Sequence, residues 1–242
     1  MGAAPTSQPG GLGRVLTRWL MKRAQVVASD AVAEDFRLIT LQSPAFKGLD
    51  WLPGQKIQIA MGSAFVARTF TPIDWDSAAG RTRLLAYTHG EGPGSAWARN
   101  TKPGDPCDIF GPRASLDGHR ASGRCVLLGD ETSIGLAYAL SKHMPDCLMH
   151  SLLEVNTRAG MPELQTRLTL DNVEWFKRAA GGAHLADIEA RLQATVGPDV
   201  TFVLTGKAAS IQHLRRVLKT MGVPGARMMS KAYWAEGKTG LD

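Results

Sequence analysis

Between Gln25 and Ala121 apolar and polar residues alternate in short runs: "AQVVAS", "RLITLQ", "KIQIAM", "ARTFTP", "TRLLAYTH" and "PCDIFGP". A period of two belongs to strands with one buried face, and Pro-Gly, Ala-Gly and Gly-Pro pairs punctuate it. Short strands so spaced predict a small antiparallel barrel or sandwich, with one short helix, "GSAWARN", after Pro93. From about Gly123 the pattern changes. The strand-like runs "CVLLGD", "MHSLLEV", "VEWF", "VTFVLTG" and "ARMMSKAYW" alternate with the helically spaced "TSIGLAYALSKHM", "AHLADIEARLQAT" and "ASIQHLRRVLKTM". Such alternation predicts a mostly parallel sheet with helices on both faces, the first helix capped by Thr132 or Ser133. The expected fold class is α+β in two domains: an antiparallel β-barrel over residues 21–121, then an α/β domain over 122–242, behind a flexible tail over 1–20.

Composition narrows the setting. The chain has 242 residues, 44% hydrophobic and 21% charged, as in soluble globular proteins. It has no apolar run long enough to span a bilayer, and "MGAAPTSQPGGLGR" lacks a secretory apolar region, so a cytoplasmic monomer without an integral membrane segment is expected. Cys107, Cys125 and Cys147 are widely spaced and form neither a metal pattern nor a disulfide framework. The six histidines form no ligand-spaced cluster, so no metal site is expected. The net charge of +6 is scattered rather than gathered into a stripe, which argues against nucleic acid and reads first as general solubility, second as attraction for anionic cofactors and substrates.

Candidate chemistry begins at "FVARTFTPIDWD", residues 65–76. Arg68 is a permanent cation whose fork of donors suits a phosphate pair, on a strand otherwise made of small and apolar residues. Phe70 shares its strand face and can lie beside a planar ring; Thr71 adds a hydroxyl. "GEGPGSAWA", residues 90–98, then leads glycines into a helix start, whose free N–H groups can receive a diphosphate. Together these features describe a barrel that holds a flavin dinucleotide.

"RTFT" resembles the Arg-x-Tyr-Thr/Ser flavin motif of the ferredoxin–NADP reductase superfamily. "THGEGPGSAWA", "GDPCDIFGPRASL", "VLLGDETSIGLAYAL", "VEWFKRAAG", "TFVLTGKAASIQHLRRVL" and "KAYWAEG" follow in the order of the siderophore-interacting proteins, its ferric-siderophore reductase branch. The resemblance spans roughly Gln25 to Gly237. It implies an FAD-binding barrel and an NAD(P)-binding α/β domain. Arg68 would contact the FAD pyrophosphate, with Thr69 beside it; Phe70 would flank the flavin ring, and Thr71, the catalytic candidate, would bond near flavin N5. Gly92, Gly94, Ser95 and Ala96 would offer backbone donors, with His89 nearby. Gly129, Asp130, Thr132 and Ser133 would meet the nicotinamide nucleotide from one side, Gly206 and Lys207 from the other, and Tyr233 and Trp234 would pack at the junction.

The activity implied is FAD-dependent oxidation of NADPH (or NADH) with electrons passed to a ferric siderophore or other anionic ferric chelate, met by Lys56, Arg113, Lys231 and Lys238. Alternatives are a reductase serving a ferredoxin- or flavodoxin-type protein acceptor, and a non-catalytic flavin-binding electron carrier. Phe70 replaces the usual tyrosine, and Lys207 replaces a glutamate common in this branch, which predicts a modest preference for NADPH. Gln58 and Ala235 stand where basic residues are common, thinning the patch for the chelate.

Overall fold

The computed structural model describes residues 21–61 and 63–238, and the expected tail over 1–20 lies outside them. Seven strands come first: β1 (Lys22–Ala33), β2 (Phe36–Gln42), β3 (Lys56–Met61), β4 (Ser63–Phe70), β5 (Pro72–Asp76), β6 (Arg81–Tyr87) and β7 (Pro106–Arg113). Helix α1 (Pro93–Asn100) lies between the last two. All their ladders are antiparallel, in the order β4-β3-β7-β1-β2-β6-β5.

The two edge strands of that order, β4 and β5, are consecutive in the chain and separated by one residue, Thr71. Edges tied so closely must meet, so the sheet rolls into a barrel with Thr71 on its seam. Alternate residues fill the interior: Ile39 and Leu41 of β2, and Ile57 and Ile59 of β3, are wholly buried. The sequence reading ends the strand at Pro72. Instead the chain changes partners there, leaving β3 and joining β6. Pro72 opens an edge strand, where a missing N–H removes no required ladder bond.

The second sheet is parallel throughout, as expected: β8 (Gly123–Asp130), β9 (Cys147–Val155), β10 (Val173–Lys177), β11 (Val200–Lys207) and β12 (Met228–Trp234), in the order β10-β9-β8-β11-β12. The helices are α2 (Ile134–His143), α3 (Met161–Leu168), α4 (His184–Thr195) and α5 (Ala208–Thr220). Cys125 and Leu127 of β8 join the core under α2 and α3, while Val126 and Leu128 join the core under α4 and α5. Burial on both faces is why β8 reads as an unbroken apolar run. Helix α3 escapes the sequence reading; it has only eight residues, follows a left-handed Gly160, and buries Met161, Leu164 and Leu168.

The two sheets share one core. Val32, Phe36 and Leu116 from the first half pack in the same cluster as α2, α3 and β8. Contact is so close at Gly135 of α2 that a Cβ would stand 3.0 Å from Ile73 Cγ2. Strand order reverses at β8, which is followed by β9 on one side and flanked by β11 on the other. A parallel sheet opens its ligand crevice at such a point, beyond the strands' C-terminal ends. Those ends are Gly129–Asp130 and Gly206–Lys207. Among the described residues no helix is long and apolar enough to cross a membrane.

Candidate functional site

A cleft of about 380 Å³ lies where barrel and parallel sheet meet. The barrel lines it with Arg68, Thr69, Phe70 and Thr71 from the end of β4 and the seam, and with Leu85, Ala86 and Tyr87 of β6. Antiparallel pairing sets Arg68 opposite Ile59 and Phe70 opposite Ile57, so both side chains share a face, as the alternation implies. Helix α1 approaches that face through a glycine: a Cβ on Gly94 would meet Arg68 Cγ at 3.3 Å and Phe70 Cζ at 3.8 Å. Trp97, one turn on, packs against Phe70 with ring centroids 5.4 Å apart. The Arg68 stem and the start of α1, predicted as one phosphate cradle, are thus side by side, with Arg68 Nη1 donating to Ala67 O at 2.8 Å.

Within that cradle the donors divide. Gly92 is the N-cap and Pro93 has no N–H, while the Ala96 N–H closes the first turn on Gly92 O at 2.9 Å. Gly94 and Ser95 therefore supply the donors without a helical acceptor, and Ala96, expected among them, does not. Ser95 Oγ donates to His89 O at 2.6 Å, and Arg99 Nη1 donates to Thr88 O and Gly90 O at 2.7 Å each, pinning the loop before the helix. His89 stacks on Tyr87 at 4.3 Å, and Tyr87 on Phe36 at 5.0 Å.

From the second half, Thr132, Gly135 and the strand-end run Lys231–Ala235 complete the wall, with Lys238 at the rim. The Tyr233 phenol faces Thr71, which favours its ionised form, and burial outweighs this, pushing the phenol up to about 12. The catalytic candidate on the barrel seam is thereby tied to the last strand.

Asp130 organises the crevice behind this wall. Its side chain is buried at 1% exposure. Oδ1 accepts from Thr132 N at 2.9 Å and from the Thr132 hydroxyl; Oδ2 accepts from Lys207 N at 2.8 Å and Trp234 Nε1 at 2.7 Å. Asp130 caps the turn that precedes α2, while Ser133, one of the two caps expected in sequence, holds the N-cap position of α2 without a side-chain capping bond. Ser133 is wholly buried, accepting from Asp130 N at 3.3 Å and Thr205 Oγ1 at 2.8 Å, so it stands behind the site rather than in it. Gly129, Asp130 and Gly206 are likewise buried, and of that group Thr132 is the residue that lines the cleft. Gly206 has a φ of +96°, and a Cβ there would stand 2.4 Å from Asp130 Oδ2; glycine is required on both counts.

The predicted cations separate too. Lys56, buried at 9% exposure, lines the cleft with Lys231 and Lys238. Arg113 pairs across the ladder with Lys56 but is turned to Gln58 Oε1 and lies 4.2 Å over the Phe110 ring, outside the lining. Lys207 does not stand ready for a phosphate. Its ammonium is paired with Glu236 and lies 5.4 Å from the centre of the Trp234 ring.

Sequence reasoning missed a polar network beside Asp130. Glu131, 5% exposed, accepts from Arg178 Nη1 at 3.0 Å, Arg178 Nη2 at 2.7 Å and Asn156 N at 2.6 Å, with the Tyr87 hydroxyl at 3.5 Å. Glu154 contacts His184 Nε2 at 2.8 Å and accepts from Ser210 Oγ at 3.1 Å. Arg178 directly follows β10, at the sheet end where α/β proteins gather functional groups, and that position was the available signal. A larger cavity, about 580 Å³, lies at the opposite, N-terminal end of the strands, lined by residues such as Arg124, Cys125, Tyr138 and Cys147; it contains none of the predicted site residues.

The family profile described as the siderophore-interacting FAD-binding domain matches residues 55–116, and the one described as siderophore-interacting protein matches residues 123–237. An NADPH-dependent ferric-chelate reductase of Escherichia coli (strain K12) is 25% identical over 174 residues, covering 69% of this chain and 66% of that protein, just under two thirds. A siderophore utilization protein from T. fusca superposes with a TM-score of 0.74 at 24% identity, over 92% of this chain and 95% of that one. Phthalate dioxygenase reductase superposes with a TM-score of 0.74 at 14% identity, over 90% of this chain and 70% of that one. Those likenesses establish the fold, a ferredoxin reductase-type barrel followed by a parallel α/β domain.

Burial raises Asp130 above the usual carboxylate range, more than its bonds from Thr132 and Trp234 lower it. The native state then holds that proton more tightly than the unfolded chain, where Asp titrates near about 3.9. Its contribution to stability is greatest below that pH and is lost as pH rises through the native value. Relative to Asp130→Asn, the wild type should therefore lose stability on going from acid to neutral pH. Urea denaturation of both proteins across that range checks the sign; a wild type that gains on Asp130→Asn as pH rises contradicts it.

Proposed function

The chain belongs to the siderophore-interacting protein family, and from that premise we propose that it is an FAD-dependent, NAD(P)H-oxidising reductase whose acceptor is an anionic ferric chelate. The observation that carries this reading is the convergence of two chemistries on one cleft. Arg68 and the start of α1 form an anion cradle at one part of it, and Lys56, Lys231 and Lys238 line another. A dinucleotide needs the first; a negatively charged chelate needs the second.

The residues fit the flavin on their own geometry. Gly94 leaves room against Arg68 where a side chain would crowd the cradle. Phe70, backed by Trp97, offers an aromatic side chain to the cleft, and the Thr71 hydroxyl, facing Tyr233, is the polar group on the seam. When bound, FAD supplies the conversion of a two-electron hydride donor into single-electron steps suited to Fe(III). The chain's part is to bind, orient and shield: Arg68 and the Gly94 and Ser95 N–H groups for the diphosphate, Phe70 for the ring, Thr71 for a hydrogen bond at its edge. The nicotinamide nucleotide is assigned to the crevice beyond β8 and β11. With Lys207 already paired to Glu236, discrimination between NADPH and NADH is expected to be small.

Arg68→Ala removes a charge-assisted phosphate contact worth about 1.5–3 kcal/mol. FAD affinity should fall about tenfold or more, read by flavin fluorescence on titration. Wild-type affinity in that variant would remove Arg68 from the diphosphate site.

The acceptor is tested by anaerobic reduction with NADPH or NADH followed by a ferric catecholate, a neutral ferric chelate or a ferredoxin. Reduction of the anionic chelate should slow as salt rises, because screening over about 10 Å at 0.1 M weakens long-range attraction. Lys231→Ala with Lys238→Ala should raise its KM several-fold and leave FAD content unchanged. A rate indifferent to salt and to both substitutions, with fast reduction of the ferredoxin, would transfer the assignment to a protein acceptor.

A further inference from the structure

We propose that Arg178, which lies outside the cleft, is a positioning residue for it: it holds Asp130 as an anion, and the anion seats Trp234 in the cleft wall. The claim starts from the four donors on Asp130. Two are backbone N–H groups, one is an indole N–H and one is the Thr132 hydroxyl. An N–H cannot accept, so a protonated Asp130 could turn its O–H only toward Thr132 and would weaken its hold on the rest. Two donors on each oxygen suit a carboxylate, which accepts at all four positions.

Burial opposes that charge. The charged and titratable groups around it come from every neighbouring element. Glu131 follows it in the chain; Glu154 stands opposite it in the β8–β9 register; Lys207 and Tyr233 come from β11 and β12. The Lys207 ammonium is turned to Glu236. His184 accepts the Ala179 N–H at Nδ1, so its ring hydrogen lies on Nε2, toward Glu154. Arg178 is the cation set among the acids, its Nη2 lying 3.9 Å from Asp130 and 2.7 Å from Glu131, and its Nε 3.9 Å from Glu154. Its effect on Asp130 favours the charged form, and that of Glu131 opposes it. Asn156, which donates to the Tyr87 hydroxyl at 3.1 Å and accepts from Arg178 Nη1 at 2.7 Å, extends the same network to the barrel.

The opposing influences of Arg178 and Glu131 make the proposal separable from a merely structural ion pair. Arg178→Met and Glu131→Gln break the same pair, so a structural role moves both variants the same way. An electrostatic role moves them oppositely. The readout is the indole N–H resonance of Trp234 in the full-length ¹⁵N-labelled protein, assigned by its disappearance in Trp234→Phe and followed upward in pH from the acid side, since burial raises the Asp130 carboxyl. The pH at which it leaves its hydrogen-bonded position should rise by at least about half a unit in Arg178→Met and fall in Glu131→Gln. Shifts in the same direction, or a resonance indifferent to both substitutions, overturn the proposal. Should Arg178→Met fail to fold, Glu131→Gln decides alone: a downward shift supports electrostatic seating, and an upward or absent one refutes it. The relevance to flavin rests on the reductase reading, but the seat of Trp234 does not, so failure of either is seen separately.

Discussion

One buried carboxylate orders the side of the second half that faces the cleft. Asp130 ends β8, caps the turn into α2, takes the N–H of Lys207 at the end of β11 and takes the indole of Trp234 from β12. Three strand ends and a helix start are thereby set by one side chain. The left-handed turn at Gly206 exists in its shadow, since any side chain there would strike the carboxylate. With β12 fixed by Trp234, its neighbour Tyr233 reaches Thr71, and Thr71 is the single residue between the two edges of the barrel. The cleft lies along that line of dependence.

A buried anion is an unlikely choice for stability alone. Desolvation raises its titration point, and a compensating guanidinium must be brought from β10 and shared with two further acids. What the arrangement secures is position. Donors of fixed direction on both oxygens leave little freedom in the wall that faces Arg68 and Phe70. Charge is also partitioned across the cleft, with the anion enclosed behind Trp234 and the cations Lys56, Lys231 and Lys238 along the lining. An anionic ligand would meet the cations first.

Much of this was legible from local pattern. Alternation every second residue found the barrel strands, and the change to strand–helix periodicity found the parallel sheet. Arg68, Phe70 and Gly94 were recognisable because their residue types are costly or pointless unless something approaches them. Features that depend on pairing were not legible. Pro72 reads as a stop, yet it opens β5, because a strand that changes partners looks the same in sequence as one that ends. Thr132 and Ser133 are better caps by residue type than by geometry, and Asp130 two and three residues earlier takes the role. Ala96 and Arg113 carry the right groups, but the helix uses the first N–H and Gln58 holds the second side chain. Arg178 becomes significant only when β8, β9 and β10 lie side by side.

The most direct test of this account is the FAD affinity of Asp130→Asn, measured by fluorescence titration beside its stability in urea at neutral pH. Asparagine keeps the shape but has one acceptor oxygen where the carboxylate had two, so the N–H groups of Thr132, Lys207 and Trp234 can no longer all be accepted. The account predicts a clear loss of flavin affinity, because the wall that carries Tyr233 and Trp234 is no longer fixed, with stability little changed because a buried charge has also been removed. Unchanged flavin affinity in a folded Asp130→Asn protein would contradict it.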